Sequence, residues 1–312
     1  MSALRIAILG AGAMGSLFGG LLAEAGHAIE LIDVDPAQIA AVRARGLLIR
    51  TDAGERRVAV PILRPQEATT QPEWLIVFTK ALHTQAALAM ARHLIGPDTR
   101  LLSLQNGLGN AEKLAAFAKA KRIAIGMTTA PADLIAPGEV HSHGQSRTRM
   151  IMLDGHKDAR LNELAAALDA AGLPCAVDPE AIVAIWEKVA FNVALNSLCA
   201  VTQRTVGGLG AAPDGRRLAH AVADEVLALA RAEGCAIPPE RTHATIDHAL
   251  DEHGAHKPSM LQDLLAQRPT EIETLNGAVV RAAAKHGFAV PRTEALYVLV
   301  KMREADICQD RT

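Results

Sequence analysis

A lysine and two asparagines interrupt an otherwise apolar stretch of the chain, AIVAIWEKVAFNVALNSLCAV, between Ala181 and Val201. Lys188, Asn192 and Asn196 lie four residues apart, so on an α-helix each is turned by about 40° from the last and the three share one face. Asn is a poor residue for a helix interior, and a solvated face would favour Glu, Lys, Gln or Arg. We therefore expect this face to bind a ligand, with a solvated stripe as the alternative.

A glycine-rich turn near the N-terminus has the composition of a phosphate-binding loop. The segment LGAGAMG follows a predicted strand and opens a predicted helix. In such a loop the first glycine permits a tight turn, the second lets the backbone approach a pyrophosphate, and the third allows close helix–strand packing. The helix N-terminus adds N–H groups that bind the anion. The segment therefore predicts a dinucleotide site, with a purely structural turn as the alternative, at Gly10, Gly12 and Gly15 and at Ala13 and Met14 between them.

An acidic residue stands where the second predicted strand ends, in ELIDVDP. A carboxylate at this place accepts hydrogen bonds from the ribose hydroxyls of NAD, and it would repel the additional phosphate of NADP. Asp33 therefore favours NAD, and Arg43 and Arg45 come too late in the chain to be obvious phosphate ligands. The alternative is that Asp33 only forms the turn ahead of a helix that begins near Pro36.

Two polar residues follow later strands of the same region. Lys80 ends the predicted strand LIVFTK, and Asn106 ends LLSLQN. Because ligands of an open α/β sheet bind at the carboxyl ends of its strands, both residues are candidates for the dinucleotide crevice. The alternatives are an exposed loop lysine and an Asn-Gly turn.

Two further polar residues have structural explanations in their local sequence. Ser259 and Gln262 match a capping box at the start of a helix. Glu271 follows Pro269 in what we predict to be the first turn of another helix, where the helix dipole favours a carboxylate.

The composition excludes several classes of partner. The chain has 312 residues and a formal net charge of -2, so nucleic acid and anionic membranes, which need a basic face, are not expected. No uninterrupted apolar run reaches the roughly 18 residues that span a bilayer, and the N-terminus enters a strand without a signal peptide. We expect a cytoplasmic protein with reduced thiols, since no CxxC pair occurs among its cysteines, which are Cys175, Cys199, Cys235 and Cys308. Four histidines between His243 and His256 do not keep to one helix face, and no metal site is predicted.

Strands and helices alternate up to about Asp178, which predicts a mostly parallel, doubly wound sheet of the Rossmann type. Beyond that point long helices are predicted at 180–203, 214–234, 239–253, 259–266 and 269–287, with a last helix after Pro291. The predicted fold is therefore α/β, with a dinucleotide-binding domain at 1–178 and an all-helical substrate-binding domain at 179–312. The long apolar helices of the second domain are compatible with a homodimer.

Taken together, these motifs resemble the ketopantoate reductase (2-dehydropantoate 2-reductase) family over nearly the whole chain. The resemblance rests on GAGAMG, TKA, QNGLGN, WEKVAFNVALN, PSMLQDL and RPTEIETLNG, in that order. It implies a Rossmann domain followed by a helical domain. It also implies that NADPH or NADH reduces the ketone of a small 2-keto acid, ketopantoate, to pantoate in pantothenate biosynthesis.

The resemblance also implies a role for each candidate residue. Lys188 would be the general acid that protonates the ketone oxygen as hydride arrives at the carbon. Glu271 would hydrogen-bond at the junction of substrate, nicotinamide ribose and lysine. Asn192 and Asn196 would hold the hydroxyl or carboxylate of the substrate, and Ser259 would bind its carboxylate. The remaining cofactor contacts would come from Lys80, Asn106 and the backbone at Ala132.

A lysine with an ordinary pKa near 10.4 is a sluggish proton donor at neutral pH. Partial burial, or repulsion from Lys80, would lower the pKa of Lys188 and suit it to this task.

Two features depart from the family pattern. The resemblance favours NADPH, since the usual enzymes of this family prefer it and often carry a basic residue just after the second strand, where this chain has Asp33 and Val34. Pantoate enzymes often have an asparagine close to the position of Val206, which this chain lacks. Three hypotheses follow: ketopantoate reduction, NAD-dependent oxidoreduction of another 2-keto or 2-hydroxy acid of the mandelate type, and a non-catalytic dinucleotide sensor. The last is disfavoured because a sensor needs no proton donor.

Overall fold

The computed structural model describes residues 3–309, and the side chains of residues 3–306. It divides into two compact units. The first unit comprises Met1–Gln105 and Asn110–Ala181, and the second comprises Asn106–Gly109 and Ile182–Thr312. Cys308 lies outside the described side chains.

The first unit contains all the strands of the described residues. They are β1 (Arg5–Leu9), β2 (Ala28–Ile32), β3 (Leu47–Thr51), β4 (Gly54–Val58), β5 (Ile62–Leu63), β6 (Trp74–Val77), β7 (Arg100–Ser103), β8 (Ile123–Thr128), β9 (Asp133–Ala136), β10 (Glu139–His141), β11 (Thr148–Met152) and β12 (Cys175–Val177). Its helices are α1 (Ala13–Glu24), α2 (Pro36–Arg45), α3 (Thr84–Met90), α4 (Asn110–Ala115) and α5 (Ala159–Ala170).

The main sheet has the order β12-β11-β8-β7-β6-β1-β2-β5. The six strands from β8 to β5 are mutually parallel, whereas β11 runs antiparallel to β8. Its central strands are fully apolar runs, such as WLIV in β6, because helices cover both faces of a parallel sheet. The strand order reverses between β1 and β6, the place where sheets of this type bind ligands. The predicted doubly wound sheet is confirmed.

A second, four-stranded sheet, β4-β3-β10-β9, is not predicted by the sequence. β3 and β4 form an antiparallel hairpin, and β10 pairs with β3 in parallel across a long stretch of chain. The strand β4 reads GERRV, which is too polar to be recognised by hydrophobic alternation. Its residues are stabilised by pairing with the buried LLI of β3 rather than by their own pattern.

Among the described residues of the second unit, all regular secondary structure is helical. Its helices are α6 (Ala181–Thr202), α7 (Val206–Gly210), α8 (Gly215–Ala232), α9 (Pro239–Glu252), α10 (Ser259–Leu265), α11 (Asn276–Lys285) and α12 (Pro291–Gln309). By length and composition α6 could cross a membrane, but 61% of its apolar 18-residue window is buried inside the protein. It is the central core helix of this unit, since Val189, Val193 and Leu195 all belong to the unit's hydrophobic core.

A buried carboxylate, rather than a local capping residue, closes the N-terminus of α12. Glu225 of α8 is buried and accepts hydrogen bonds from the backbone N–H groups of Arg292 (3.0 Å) and Thr293 (2.8 Å). The Arg292 side chain donates to the same carboxylate at 3.2 Å. Two of the N–H groups that a helix start leaves unpaired are thus satisfied from a neighbouring helix.

We expect Glu225→Ala to destabilise the helical unit by about 2–3 kcal/mol, because it leaves buried backbone donors without partners. Calorimetric melting measures this. Glu233→Ala is the control, since Glu233 forms only a surface pair with His286 and its loss should cost less than about 1 kcal/mol. Equal melting temperatures for the two variants would contradict the capping role of Glu225.

Candidate active site

Helix α6 places Lys188, Asn192 and Asn196 on one face, as their spacing predicts. The face is largely buried: Asn192 is 9% and Asn196 5% exposed, and Lys188 is partly buried. Within the described residues, neither asparagine side chain forms a hydrogen bond to the protein. A buried amide that makes no hydrogen bond costs free energy, so a solvated stripe does not describe this face. Two amides are available there for a polar ligand.

Burial changes the acidity of the lysine on this face. It lowers the pKa of Lys188 from 10.5 to about 8, and the carboxylate of Glu271 acts in the opposite direction. The shift has the direction that the sequence analysis expects from burial. Lys188 is therefore a cation at neutral pH, but one that gives up its proton more readily than an exposed lysine.

Glu271 does not lie in a helix, and the predicted helix 269–287 is wrong in its first part. Helix α11 begins only at Asn276, and residues 270–275 form a turn in which the carbonyl of Glu271 accepts from the N–H groups of Thr274 (3.1 Å) and Leu275 (3.0 Å). A helix dipole therefore does not explain the carboxylate. The turn leaves its side chain partly buried and close enough to Lys188 to act on the pKa of the lysine.

The segment Asn106–Gly109 reaches the same turn. Asn106 Nδ2 donates to Glu271 Oε2 at 3.3 Å, and the Leu108 N–H donates to the Thr274 carbonyl at 3.0 Å. Gly107 has φ +84°, and a Cβ there would lie 2.2 Å from the Thr274 carbonyl oxygen, so only glycine fits. The strand before it, β7, ends three residues before Asn106 rather than at it. The structure thus brings Asn106, Glu271 and Lys188 together in the helical unit.

Ser259 does not form the predicted capping box. It is the first residue of α10, the residue at the cap position is Pro258, and no side chain caps the helix. Gln262 Nε2 instead donates to the Lys257 carbonyl at 2.9 Å. The Ser259 side chain is exposed and forms no hydrogen bond within the described residues. Its hydroxyl is available to a ligand.

The glycine loop of the first unit fits a bound pyrophosphate. Gly10 has φ +98°, and a Cβ there would lie 2.6 Å from the Thr79 nitrogen. A Cβ on Gly15 would lie 1.8 Å from the Gly10 carbonyl oxygen, whereas one on Gly12 would meet nothing within 4 Å. Helix α1 begins at Ala13 with no side-chain cap. Gly10 and Gly15 are thus required by close packing, and the open space at Gly12 and the uncapped N–H groups remain for an anion.

Asp33 is fixed by three backbone donors. Its Oδ2 accepts from the Ala11 N–H of the glycine loop at 2.5 Å, and its Oδ1 accepts from Val34 (2.7 Å) and Asp35 (2.9 Å). Asp35, not Asp33, caps α2 through the Ala37 N–H. A carboxylate offers about four lone-pair sites, so one remains for a ribose hydroxyl. Asp33 therefore both shapes the turn and presents a negative charge beside the loop.

Two glutamines in this unit were missed by the sequence analysis. Gln38 of α2 is buried, donates to the Ala11 carbonyl at 2.8 Å, and accepts from the Gly138 N–H at 2.8 Å. Gln105 donates to the carbonyl of Thr79 (2.5 Å) and to the hydroxyl of Thr84 (2.8 Å). Both hold loops at the carboxyl ends of strands. A buried glutamine on an amphipathic helix has no local sequence signal, because glutamine is common on exposed helix faces.

Lys80 and Ala132 lie in loops of the first unit. Strand β6 ends at Val77, so Lys80 lies three residues beyond it, exposed, ahead of a short 3-10 turn. Ala132 is partly buried between β8 and β9 and packs against the core of this unit.

The histidine-rich segment forms paired contacts. His243 stacks on His220 with ring centroids 4.1 Å apart, and the two rings bond to Asp224 and Asp247, respectively. Among the described residues, no group of three or more His, Cys, Asp or Glu side chains could hold a metal ion.

Comparison with known proteins covers both units. Residues 6–155 match the family model of ketopantoate reductase PanE/ApbA, and residues 180–304 match its C-terminal model. The 2-dehydropantoate 2-reductase of Streptococcus pyogenes serotype M18 is 31% identical over 96% of this chain and 97% of its own length. That of Halobacterium salinarum is 32% identical over 97% of this chain and 100% of its own.

Solved structures agree with these matches. D-mandelate dehydrogenase with NADH and anilino(oxo)acetate has a TM-score of 0.93 and 31% identity, covering 97% of this chain and 99% of its own. The 2-dehydropantoate 2-reductase of Geobacter metallireducens has a TM-score of 0.88 and 32% identity, and the match covers 96% of this chain and 99% of that one. The chain therefore belongs to the ketopantoate reductase family and is an NAD(P)-dependent oxidoreductase acting on a CH–OH group.

Proposed function

We propose that this protein is a 2-dehydropantoate 2-reductase that reduces the ketone of ketopantoate to the hydroxyl of pantoate. The observation that carries the chemistry is the partly buried Lys188, with a pKa of about 8, on a face that also presents the buried amides of Asn192 and Asn196. The choice of ketopantoate is supported by relatives of that activity that are 31% and 32% identical over nearly the whole chain.

The chemistry needs a proton donor that is also a cation. A reduced nicotinamide held by the first unit would supply the hydride for the new C–H bond at the keto carbon. The electron pair of the C=O π bond moves to oxygen, and Lys188 Nζ gives that oxygen its proton. Lys188 is left neutral and takes a proton back from solvent. Glu271 favours the protonated lysine before the transfer, in line with its opposition to burial in the pKa of Lys188.

The polar groups around the lysine bind the rest of the substrate. In this proposal the amides of Asn192 and Asn196 hydrogen-bond the hydroxyl or carboxylate, and the exposed Ser259 hydroxyl binds the carboxylate end. Each of these three side chains would gain a hydrogen-bond partner that the described residues do not give it, which favours substrate binding. Asn106, held to Glu271 at 3.3 Å, contacts the cofactor ribose.

We infer that the preferred cofactor is NADH. The Asp33 carboxylate is held by the glycine loop and its own turn, so it cannot turn away from a 2′-phosphate without losing three hydrogen bonds. Arg43, a basic residue of α2, is engaged with the Ile62 carbonyl and with Glu67. The remaining cofactor contacts in this proposal come from the Gly10–Gly15 loop, Lys80 and the backbone at Ala132.

A second candidate substrate is another 2-keto acid of the benzoylformate type. It is favoured by the likeness to D-mandelate dehydrogenase solved with NADH, at a TM-score of 0.93, and by the carboxylate of Asp33. The same lysine, amides and carboxylate would serve it, since the reacting 2-keto acid group is the same.

The deciding experiment is the initial rate of NADH and NADPH oxidation by the purified protein with ketopantoate and with benzoylformate. We expect turnover with ketopantoate and a preference for NADH. Turnover with benzoylformate alone would move the assignment to a D-2-hydroxyacid dehydrogenase. Binding of NADH without turnover of any 2-keto acid would overturn the enzymatic proposal in favour of a sensor.

We expect Lys188→Ala to lower kcat for ketone reduction by about 10²–10⁴, the usual contribution of a general acid. Because the lysine must be protonated, the wild-type reduction rate should be level below pH 8 and fall above it, and the reverse oxidation should rise towards pH 8. Lys285→Ala, at an exposed lysine of α11, is the control and should keep both profiles. A Lys188→Ala profile that matches wild type in height and shape would exclude the general-acid role.

Lys188→Met should raise the melting temperature at pH 7, by about 2–4 °C for each kcal/mol recovered, because burial of the ammonium is a cost. The folded pKa of about 8 lies below the ordinary value of 10.5, so the unfolded chain binds more protons between these values. The free energy of unfolding contributed by Lys188 therefore rises with pH from about 8 to 10.5. Melting curves at several pH values should show this rise in wild type and lose it in Lys188→Met.

Asp33→Asn keeps the shape of the side chain and removes its charge. We expect the ratio of kcat/KM with NADPH to kcat/KM with NADH to rise about tenfold, equivalent to roughly 1.4 kcal/mol. Asp35→Asn, which retains an oxygen for the α2 cap, is the matched control and should leave the ratio unchanged. An equal ratio for Asp33→Asn and wild type would exclude the carboxylate as the selector.

A further inference from the structure

Asn276 is a fully buried polar residue that the proposed chemistry does not use. It begins α11, is 0% exposed, and lies among core residues that include Leu275 and Val279. Its Nδ2 donates to the Val193 carbonyl at the long distance of 3.4 Å, and its Oδ1 has no hydrogen-bond partner among the described residues. One long bond does not offset the cost of burying a whole amide. Stability therefore does not explain an asparagine at this position.

The carbonyl that Asn276 contacts belongs to Val193 of α6, at the level of the candidate ligand face. Val193 follows Asn192 directly and precedes Asn196 by three residues. The Ser197 hydroxyl donates to the same carbonyl at 2.5 Å. Two side chains thus converge on one carbonyl of α6 at the level of the two candidate substrate amides.

In the sequence, Asn276 directly follows the turn that carries Glu271. The Gly277 N–H donates to the Ile272 carbonyl at 2.9 Å, so the turn continues directly into the first residues of α11. The anchors of the turn described above, Asn106 and Leu108, come from the separate segment 106–109. Asn276 adds an anchor on α6 itself, and this anchor does not depend on the charges of Lys188 and Glu271.

We propose that Asn276 is a positioning residue that holds the Glu271 turn against α6, so that the Glu271 carboxylate stays beside Lys188. The inference rests on the proposed function for its effect on turnover. Its effect on the lysine itself requires only the fold. Residues that break a local rule of stability are expected where function constrains them, and a half-satisfied amide in an apolar core is such a residue.

The electrostatic consequence has a definite sign. Burial lowers the pKa of Lys188, and Glu271 is the charged group that raises it. If the turn is looser, Glu271 raises the pKa of Lys188 by less, whereas burial still lowers it. The pKa of Lys188 then falls below about 8, and less of the lysine is protonated at neutral pH.

The test is Asn276→Leu, a substitution of similar volume that removes the unpaired oxygen together with the long bond. We expect an unchanged or higher melting temperature and a kcat for ketone reduction about tenfold lower. The pH above which the reduction rate falls should decrease by about half a unit or more. The pKa of Lys188 is also measured without substrate, by NMR titration of ¹⁵N-labelled lysine assigned with Lys188→Ala, and should fall by the same amount.

Thr242→Val is the matched control. Thr242 of α9 is also buried, and its Oγ1 has no partner among the described residues, but it lies outside the turn and α6. It should leave the Lys188 titration and kcat unchanged. If Asn276→Leu fails to fold, Asn276→Ala replaces it with the same expected shift.

Two results would overturn the proposal: a variant whose Lys188 titration matches wild type, or one that loses melting temperature while its pH profile stays the same. Failure of the proposed function appears differently. In that case wild type turns over no 2-keto acid, yet the NMR titration still reports whether Asn276 affects the pKa of Lys188.

Discussion

The ammonium group of Lys188 in a core helix is the constraint on which the helical unit depends. Burying it costs free energy, and the lowered pKa of about 8 records that cost. A lysine kept in this condition needs an acidic neighbour near enough to hold its proton but not so strongly paired that the proton cannot leave. Glu271, partly buried on a tight turn, meets that need. The hydrophobic core that surrounds α6 holds this helix, and Lys188 with it, in place.

The turn of Glu271 explains why a short segment from the first half of the sequence belongs structurally with the helices. Asn106–Gly109 groups with the second unit because Asn106 bonds the Glu271 carboxylate and Leu108 bonds the turn backbone. Gly107 permits this approach, since a side chain there would overlap the Thr274 carbonyl. The Asn106-Gly107 pair therefore contacts the turn rather than ending a strand.

The sequence predicts the elements whose signal is local. The glycine loop, the doubly wound sheet and the long helices follow from periodicity and from glycine spacing, and the face of Lys188, Asn192 and Asn196 follows from helical geometry. Features determined by tertiary contacts were predicted wrongly or missed. Ser259 matches a capping box that does not form, Glu271 lies in a turn rather than a helix, and the polar β4 is held by its partner strand. Gln38 and Asn276 act through bonds to residues distant in sequence, which no local pattern reveals.

In the proposed function the two units divide the chemistry, with cofactor residues in the first and the proton donor in the second. In the first unit the Asp33 carboxylate lies beside the glycine loop, so under the proposed function cofactor choice depends on this side chain above all. In the helical unit Lys188 and Glu271 would, in this proposal, act on a 2-keto acid group common to many substrates. Under the proposed function, such an arrangement would let the substrate change while the proton donor stays the same, and a 2-dehydropantoate 2-reductase and a D-mandelate dehydrogenase do share one fold with this chain.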